Sequence, residues 1–578
     1  MITLLLKKIK KNEEIKIIIA KKIITMNAQN DCVEAVVIQK QKIIGYGNLT
    51  ELKKKLTAQN LKFKIDKSFK ENYIYPGFIE PHMHPQMLGL YLLNFLYIGF
   101  YDRNVLDKKI LKGLTTINEI VEVMKGYIEA NKFSLKPNQW INFWGFDPLL
   151  HDNQTLDRKI LDQISTENPI CVLHQSGHVM SLNTKALEIS GYLNLDKNNP
   201  LFNSINLQKD SNKELTGIVS EPEAMSFAIK SGAMSFDSNL NMFVEATKLV
   251  SKISQQRGIT TIADKGLGFP SLDPIFSYEA YLENQKNNLL LTRVHLDIWF
   301  GSIQNYGGWS NIEKMMIENN NDYVWIGGQK IILDGSIQGF TANLISGQKY
   351  VTNENKNGTL HLSDEHLMKF IKDAEFFNIP SHIHANGSGA IEKVIDLIEK
   401  LHPNNSNKFH HSIEHNQLVT NHQLARMHSN NIYSNFFVNH IYYWGDAHAK
   451  YTIGPVLIHE MNPTKSALIN DVTFAFHSDD PVTPADPLFA IWVAVNRKSY
   501  NNNVYGFEQI IDVNDAIKAV TINAAKLINQ EKNIGSIDLN KFADFTILEN
   551  EINKTNKNKI KNIKIIGTIL GGEIHLVK

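Results

Sequence analysis

Between residues 76 and 530, short apolar β-rich runs alternate with helical patterns. No other feature constrains the fold as strongly. Parallel neighbours need a crossover long enough to hold a helix, so repeated strand–helix alternation calls for βαβ units and a parallel sheet. Eight runs satisfy the pattern, at 78–84, 258–264, 292–300, 323–334, 379–385, 410–415, 432–437 and 472–479. Eight such strands suit an α/β fold closed as a (β/α)8 TIM-like barrel, with its chemistry at the C-terminal strand ends. The segment at about 100–230 breaks the rhythm. It holds helical pieces, loops and the aromatic cluster Trp140-Ile141-Asn142-Phe143-Trp144-Gly145. It is expected as an insertion after the first strand, placed over the barrel mouth.

Both ends of the chain are β-rich. Ile15–Ile19, Glu34–Ile38 and Lys42–Gly47 read as strands, and so do Asp544–Leu548 and Ile565–Gly572. Chain termini often lie close together. Residues 1–75 plus 531–578 are therefore expected to form one composite β-sandwich domain beside a barrel domain of 76–530.

Composition narrows the class. At 578 residues the chain exceeds one simple domain, and its 43% apolar and 21% charged residues are ordinary for a soluble globular protein. A formal net charge of +1 gives no attraction to nucleic acid. Two cysteines, Cys32 and Cys171, speak against a disulfide framework and for a reducing cytoplasm. The run Met1–Leu6 is too short for a signal peptide and meets Lys7 and Lys8 at once. No apolar run reaches the roughly eighteen residues of a membrane span.

The strand ends carry the chemistry. In Pro76-Gly77-Phe78-Ile79-Glu80-Pro81-His82-Met83-His84-Pro85, Pro-Gly turns the chain into an apolar run that ends on His-x-His. Side chains alternate along a strand, so His82 and His84 share a face and can grip one ion, with zinc the first candidate. Strand four places Lys330, Ile332 and Asp334 on one face. A lysine inside so apolar a run either snorkels to a rim or has a special role. One such role is carboxylation to a carbamate (N6-carboxylysine) that bridges two metals. Strand five offers His382 and His384, strand six His410, His411 and His415, and strand eight ends on Asp479 and Asp480. Gathered in a barrel mouth, His82 and His84 with Lys330 would hold one ion. Lys330 with His384 and His415 would hold a second. Asp479 would contact the first ion, take a proton from water and return it to a leaving amine. A bound metal brings water's pKa from about 15.7 toward 7.

These motifs resemble the amidohydrolase superfamily, in its YtcJ-like branch, which includes N-substituted formamide deformylases. The resemblance covers nearly the whole chain. It rests on the blocks already quoted and on Ser176–Leu187, Thr216–Glu221, Gly258–Asp264, Lys330–Gly335, His384–Gly387, Ile413–His415, Ser478–Pro481 and Ile534–Asp544. It implies a divalent-metal site, with one or two ions, on His82, His84, Lys330, His384, His415 and Asp479, with Asp479 catalytic. His382, His410, His411 and Asp480 fit structural places better. Ser388 stands where the branch commonly has Asp, and the aromatic loop Phe437–Asp446 is typical of only part of it. His178, Trp144, His440 and Tyr443 are candidate substrate contacts.

The expected reaction is hydrolysis of a C–N bond, in an amide or N-substituted formamide. An esterase or lactonase on the same site is the alternative enzyme, and a non-catalytic binding or regulatory barrel the alternative without chemistry. The expected partners are a small-molecule substrate and a second copy in a homodimer, with neither nucleic acid nor membrane.

Overall fold

The computed structural model describes residues 3–4, 13–196, 198–204, 206–234, 239–269, 272–352 and 357–577. Most of the N-terminal run Met1–Leu6 lies outside the described residues. Among those described, no helix is long and apolar enough to cross a membrane.

All eight expected barrel strands form, as β1 (Phe78–Met83), β2 (Ile259–Leu267), β3 (Arg293–Trp299), β4 (Val324–Ile332), β5 (Ser381–Ala385), β6 (Ser412–His415), β7 (Tyr433–Phe436) and β8 (Phe474–Phe476). They pair in sequence order, each parallel to the next, in one sheet. The ends β1 and β8 meet through the residues that follow them. The Asp479 amide donates to the His82 carbonyl at 3.1 Å, and the His84 amide to the Asp480 carbonyl at 2.8 Å. Glu80 clips the same seam. Its Oε1 accepts from the amides of His82 at 3.3 Å and Ser478 at 3.2 Å.

Parallel register sets what meets at the mouth. Lys330 on β4 pairs with His382, and Ile332 with His384. On the next seam Ala385 pairs with His415. Gly328 on β4 is needed for close packing, because a Cβ there would lie 2.2 Å from Oδ1 of Asp297.

The two termini join in one eight-stranded sheet. Lys42–Gly47, Cys32–Gln39, Ile15–Ile24 and Phe63–Pro76 lie beside Phe545–Leu548, Ile565–Leu570 and Glu573–Leu576, with Thr3–Leu4 at the far edge. Alternation buries both faces. Ile15, Ile17, Ala35 and Val37 pack on Leu52 and Leu56 of the helix Leu49–Ala58. Ile18, Val36 and Ile38 pack with Ile74, Phe545 and Ile547. The expected sandwich thus appears in its strand pairing as one continuous sheet. A buried bidentate ion pair ties it to the barrel, with Arg293 on Asp544 at 2.6 and 3.0 Å.

The segment at about 100–230 differs from its sequence description as helices and loops. Ile141–Phe146, Ile170–His174, Val179–Leu182, Leu207–Lys209 and Leu215–Ser220 form a mixed sheet with Leu96–Tyr97. The strands are short and their directions mixed, so they lack the even βα spacing that marks the barrel in sequence.

Candidate metal centre

The exit of β1 brings its two histidines to Asp479. His82 Nε2 and His84 Nε2 each lie 3.3 Å from Asp479 Oδ1. Donors bound at about 2.0–2.1 Å to a tetrahedral ion stand about 3.3 Å apart, so both distances to Asp479 match one coordination shell, and all three donor atoms lie within 4.8 Å of one another. The rings of His82 and His84 cross at 87°, which lets both lone pairs converge on one point. Oδ1 of Asp479 is buried and accepts no hydrogen bond. Burial pushes the Asp479 carboxyl up, but His82, His84 and His415 hold it well below the usual carboxylate range. The donor set fits a divalent ion.

Lys330 comes from β4 with its Nζ 3.0 Å from His82 Nε2. It is 2% exposed, and burial lowers its pKa to about 8. It therefore does not snorkel to a rim. His384 and His415 close the other side, their ring centres 4.4 Å apart. His384 aims Nε2 at the Gly335 carbonyl, 3.1 Å away, which leaves Nδ1 as the nitrogen it could offer a metal. Burial lowers both imidazoles well below their ordinary pKa, keeping them neutral as ligands must be. His415 has φ 66° and Asp479 φ 55°, left-handed values that histidine and aspartate adopt more readily than most side chains. The structure thus brings together all six residues expected to hold metal.

Sequence reasoning missed the residues beneath them. Glu414 on β6 accepts from His82 Nδ1 at 2.6 Å, from Asn435 Nδ2 at 2.7 Å and from the Ser412 hydroxyl. His477 stacks on His82 with ring centres 4.5 Å apart and planes 9° apart. Deeper in the barrel, Lys265 Nζ meets Asp297 Oδ2 at 2.6 Å and His295 Nε2 meets Oδ1 at 2.6 Å. The one available signal was the unusual count of polar residues inside apolar strands.

Three further clusters among the described residues have ligand-like spacing: His82 with His415 and His477, His295 with Asp297 and His382, and Glu375 with His402 and His411. Each has a physical objection. A ring lone pair lies in the ring plane, so the parallel rings of His82 and His477 cannot share an ion. Lys265 already places a cation on Asp297. The Ser381 amide donates to His411 Nδ1 at 3.0 Å, so the proton of His411 sits on Nε2, which donates to Glu375 at 2.9 Å.

Asp480 turns the other way from Asp479. It pairs with Arg103 of the insertion, and its Oδ2 accepts from the Ala485 amide at 2.9 Å. His382 bonds Ser412 at 2.6 Å, and His410 stacks on Tyr433. These positions fit the structural places expected of them.

A cavity opens above the donors. Its wall joins His82, His84, Lys330, His384, His415 and Asp479 to an apolar arm of Met87, Tyr91, Trp144, Met225, Met234 and Phe269. His178 and Trp144 line it, as expected. His440 and Tyr443 do not. The helix His440–Ala447 turns His440 against Phe437 and Trp444, and packs Tyr443 on Tyr101.

Known proteins resemble this chain over nearly its whole length. A family model described as Amidohydrolase family matches residues 70–575. The chain is 26% identical over 571 residues to the YtcJ protein of Bacillus subtilis (strain 168), covering 96% of this chain and 97% of that one. It is 23% identical over 554 residues to N-substituted formamide deformylase of Arthrobacter pascens, covering 95% and 96%. A crystal structure of an uncharacterized metal-dependent hydrolase from Pyrococcus horikoshii OT3 superposes with a TM-score of 0.70 at 21% identity, covering 94% of this chain and 99% of that one.

Proposed function

The chain belongs to the amidohydrolase family, and from that premise we propose that it hydrolyses a carbon–nitrogen bond of a small amide or N-substituted formamide at the His82–His84–Asp479 centre. The observation that carries this is the pair of 3.3 Å separations from Asp479 Oδ1 to two imidazole nitrogens. A divalent ion there, zinc by its donor chemistry, supplies a water of lowered pKa and polarises the substrate carbonyl. His82 and His84 offer Nε2. His384 and His415, with Lys330 as carboxylysine, form the second half of the donor set. Asp479, held well below the usual carboxylate range, accepts a proton from water and passes it to the leaving nitrogen. An alkoxide leaves without that help, so proton delivery by Asp479 is the device an amide needs. The apolar arm with Trp144 takes the organic substituent, and His178 faces it from the insertion. The relative named as an N-substituted formamide deformylase supports the substrate class.

The finer domain reading goes with this function. Residues 1–75 plus 531–578 form a composite β-sandwich domain that anchors the chain ends, 76–530 form the barrel domain, and about 100–230 cover its mouth. Trp144, His174 and His178 in the cavity wall support the last point. Its two free cysteines support a cytoplasmic location.

The test is metal analysis with a screen of N-acyl and N-formyl amines. Protein prepared without chelator should hold divalent metal and release amine. The double variant His82→Ala with His84→Ala should stay folded and lose both. A double variant with full metal content, or a wild type that cleaves esters but no amide, overturns the proposal.

A further inference from the structure

The turn that carries Asp479 is completed by the insertion. Its inner side leans on the barrel, through the backbone of His82 and His84 and the carboxylate of Glu80. Within the turn the Val482 amide donates to the Asp479 carbonyl at 2.7 Å, and the Thr483 hydroxyl to the Ser478 carbonyl at 2.8 Å. The carbonyls of Pro481 and Val482 stand on its outer side. Gln175 Nε2 donates to both, at 3.2 Å to Pro481. Arg103 Nη1 donates to the Pro481 carbonyl at 2.9 Å while its other arm holds Asp480. Among the described residues, no barrel group donates to either carbonyl, and both are held from the insertion. Gln175 is itself anchored. It follows the strand Ile170–His174, and its backbone amide donates to the Phe146 carbonyl of the neighbouring strand at 2.8 Å. Two carbonyl oxygens in front of it fix the side-chain amide, because only Nε2 can donate. Gln175, Pro481, Val482 and Asp479 all line the cavity, so this contact lies on the wall that a substrate touches.

We propose that Gln175 is a positioning residue for Asp479, holding the turn from which that carboxylate reaches the leaving nitrogen. The proposal rests on the amide-hydrolase reading above. In that reaction the C–N bond breaks, its electron pair stays on nitrogen, and Asp479 returns there the proton it took from water. The step needs the carboxylate aimed at one atom. Strand β8 ends at Phe476, so no sheet pairing fixes the backbone at Asp479. Its direction depends on the bonds of the turn itself. A misplacement of about 1 Å costs roughly 100-fold in rate. Gln175 supplies two of those bonds from across the cavity wall. Arg103 braces the same turn, but it does so through a buried ion pair, where position and stability cannot be varied apart. Gln175 is uncharged and only partly buried, and it separates the two. The insertion thus takes part in proton transfer as well as covering the mouth.

The test compares three substrates on zinc-loaded protein: 4-nitroformanilide, formanilide and 4-methoxyformanilide. They present the same formyl carbonyl and differ in the basicity of the aniline that leaves. A misaimed proton donor hurts the basic leaving group most, since nitroaniline departs with little help. Gln175→Met keeps the size and removes both hydrogen bonds. Its kcat on 4-methoxyformanilide should fall roughly 100-fold, and on 4-nitroformanilide far less, with KM and bound zinc near wild type. Gln175→Asn keeps the amide on a stem one methylene shorter and should show the same trend with a smaller loss. If Gln175→Met fails to fold, Gln175→Asn, the milder change, makes the same comparison. An equal loss on all three anilides overturns the proposal, because a destabilised or metal-poor protein loses rate without regard to the leaving group. No loss on any of them overturns it too. A wild type that holds zinc and cleaves none of the three overturns the amide-hydrolase reading itself, and this proposal falls with it.

Discussion

Nδ1 of His82 lies 2.6 Å from Oε2 of Glu414, and both side chains are fully buried. A carboxylate acceptor there keeps the imidazole proton on Nδ1 and leaves the Nε2 lone pair facing Asp479. The orientation of the candidate ligand is thus decided one strand away, on β6. Burial alone would raise the Glu414 carboxyl, but Lys265, His82 and Lys330 hold it well below its ordinary range. Its charge is available to make the imidazole a better donor.

Glu414→Gln keeps the shape and removes that charge. Partners of metal-bound histidines are worth about 10- to 100-fold in metal affinity. Zinc affinity, measured by competition with a chelator, should fall by that much while the protein stays folded. Unchanged affinity would mean that Glu414 serves packing alone.

Lys330 tests the carbamate. Carboxylation needs a neutral amine, and burial lowers this lysine to about 8. Lys330→Ala should lose activity, and short carboxylic acids should restore part of it by supplying oxygen ligands. Lys330→Arg should stay inactive, because guanidinium is always charged. Restoration in the arginine variant, or a bare amine away from metal in zinc-replete crystals grown with bicarbonate, would refute the carbamate.

Glu80 predicts a pH dependence of stability. Burial raises its carboxyl to about 8, against about 4.3 in an unfolded chain. Between those values the folded protein keeps a proton that the unfolded chain has lost. Stability therefore falls as pH rises through that window, by about 1.4 kcal/mol per pH unit for this one group, and levels off above about 8. Glu80→Gln removes the slope. In metal-free protein, the melting temperature of the variant relative to wild type should climb from pH 5 to pH 8. Parallel profiles would show that Glu80 is ionised in the fold.

The barrel was legible in the sequence because each strand is an apolar run with its own helix, and period and length agree. The six candidate ligands were legible because five close such a run and Lys330 is a charge inside one. Glu414 was hidden by its neighbour. In Ile413-Glu414-His415 the histidine attracts attention, and only the pairing of β6 with β5 and β7 shows the glutamate inside the barrel beneath His82. Glu221, 3.1 Å from His178 Nδ1, was hidden by distance, since the two lie 43 positions apart in the chain. Lys265 and Asp297 sit in strands whose apolar runs gave no reason to look for an ion pair. The insertion's sheet was missed because mixed pairing leaves no repeating spacing to read.

Asp479 and Asp480 separate chemistry from architecture in adjacent residues. The strand ends at Phe476 and Asp479 has φ 55°, so the two side chains part at a turn: one carboxylate meets His82 and His84 while the other meets Arg103. Asp479→Asn keeps the size and removes the proton acceptor. Turnover on a substrate found by the amine screen should fall by roughly 10² to 10⁴, the range for general acid–base catalysis. Metal should largely remain, held by the histidines and Lys330. Asp480→Asn leaves Arg103 buried beside an uncharged partner. Breaking a buried pair on one side costs about 3–5 kcal/mol, so this variant should melt lower while keeping most of its turnover. Turnover, bound zinc and melting temperature measured on both variants decide the matter. If Asp480→Asn is inactive and Asp479→Asn active, the proton acceptor is Asp480, and the route of the proton runs through Arg103 and the insertion instead of through the metal ligands.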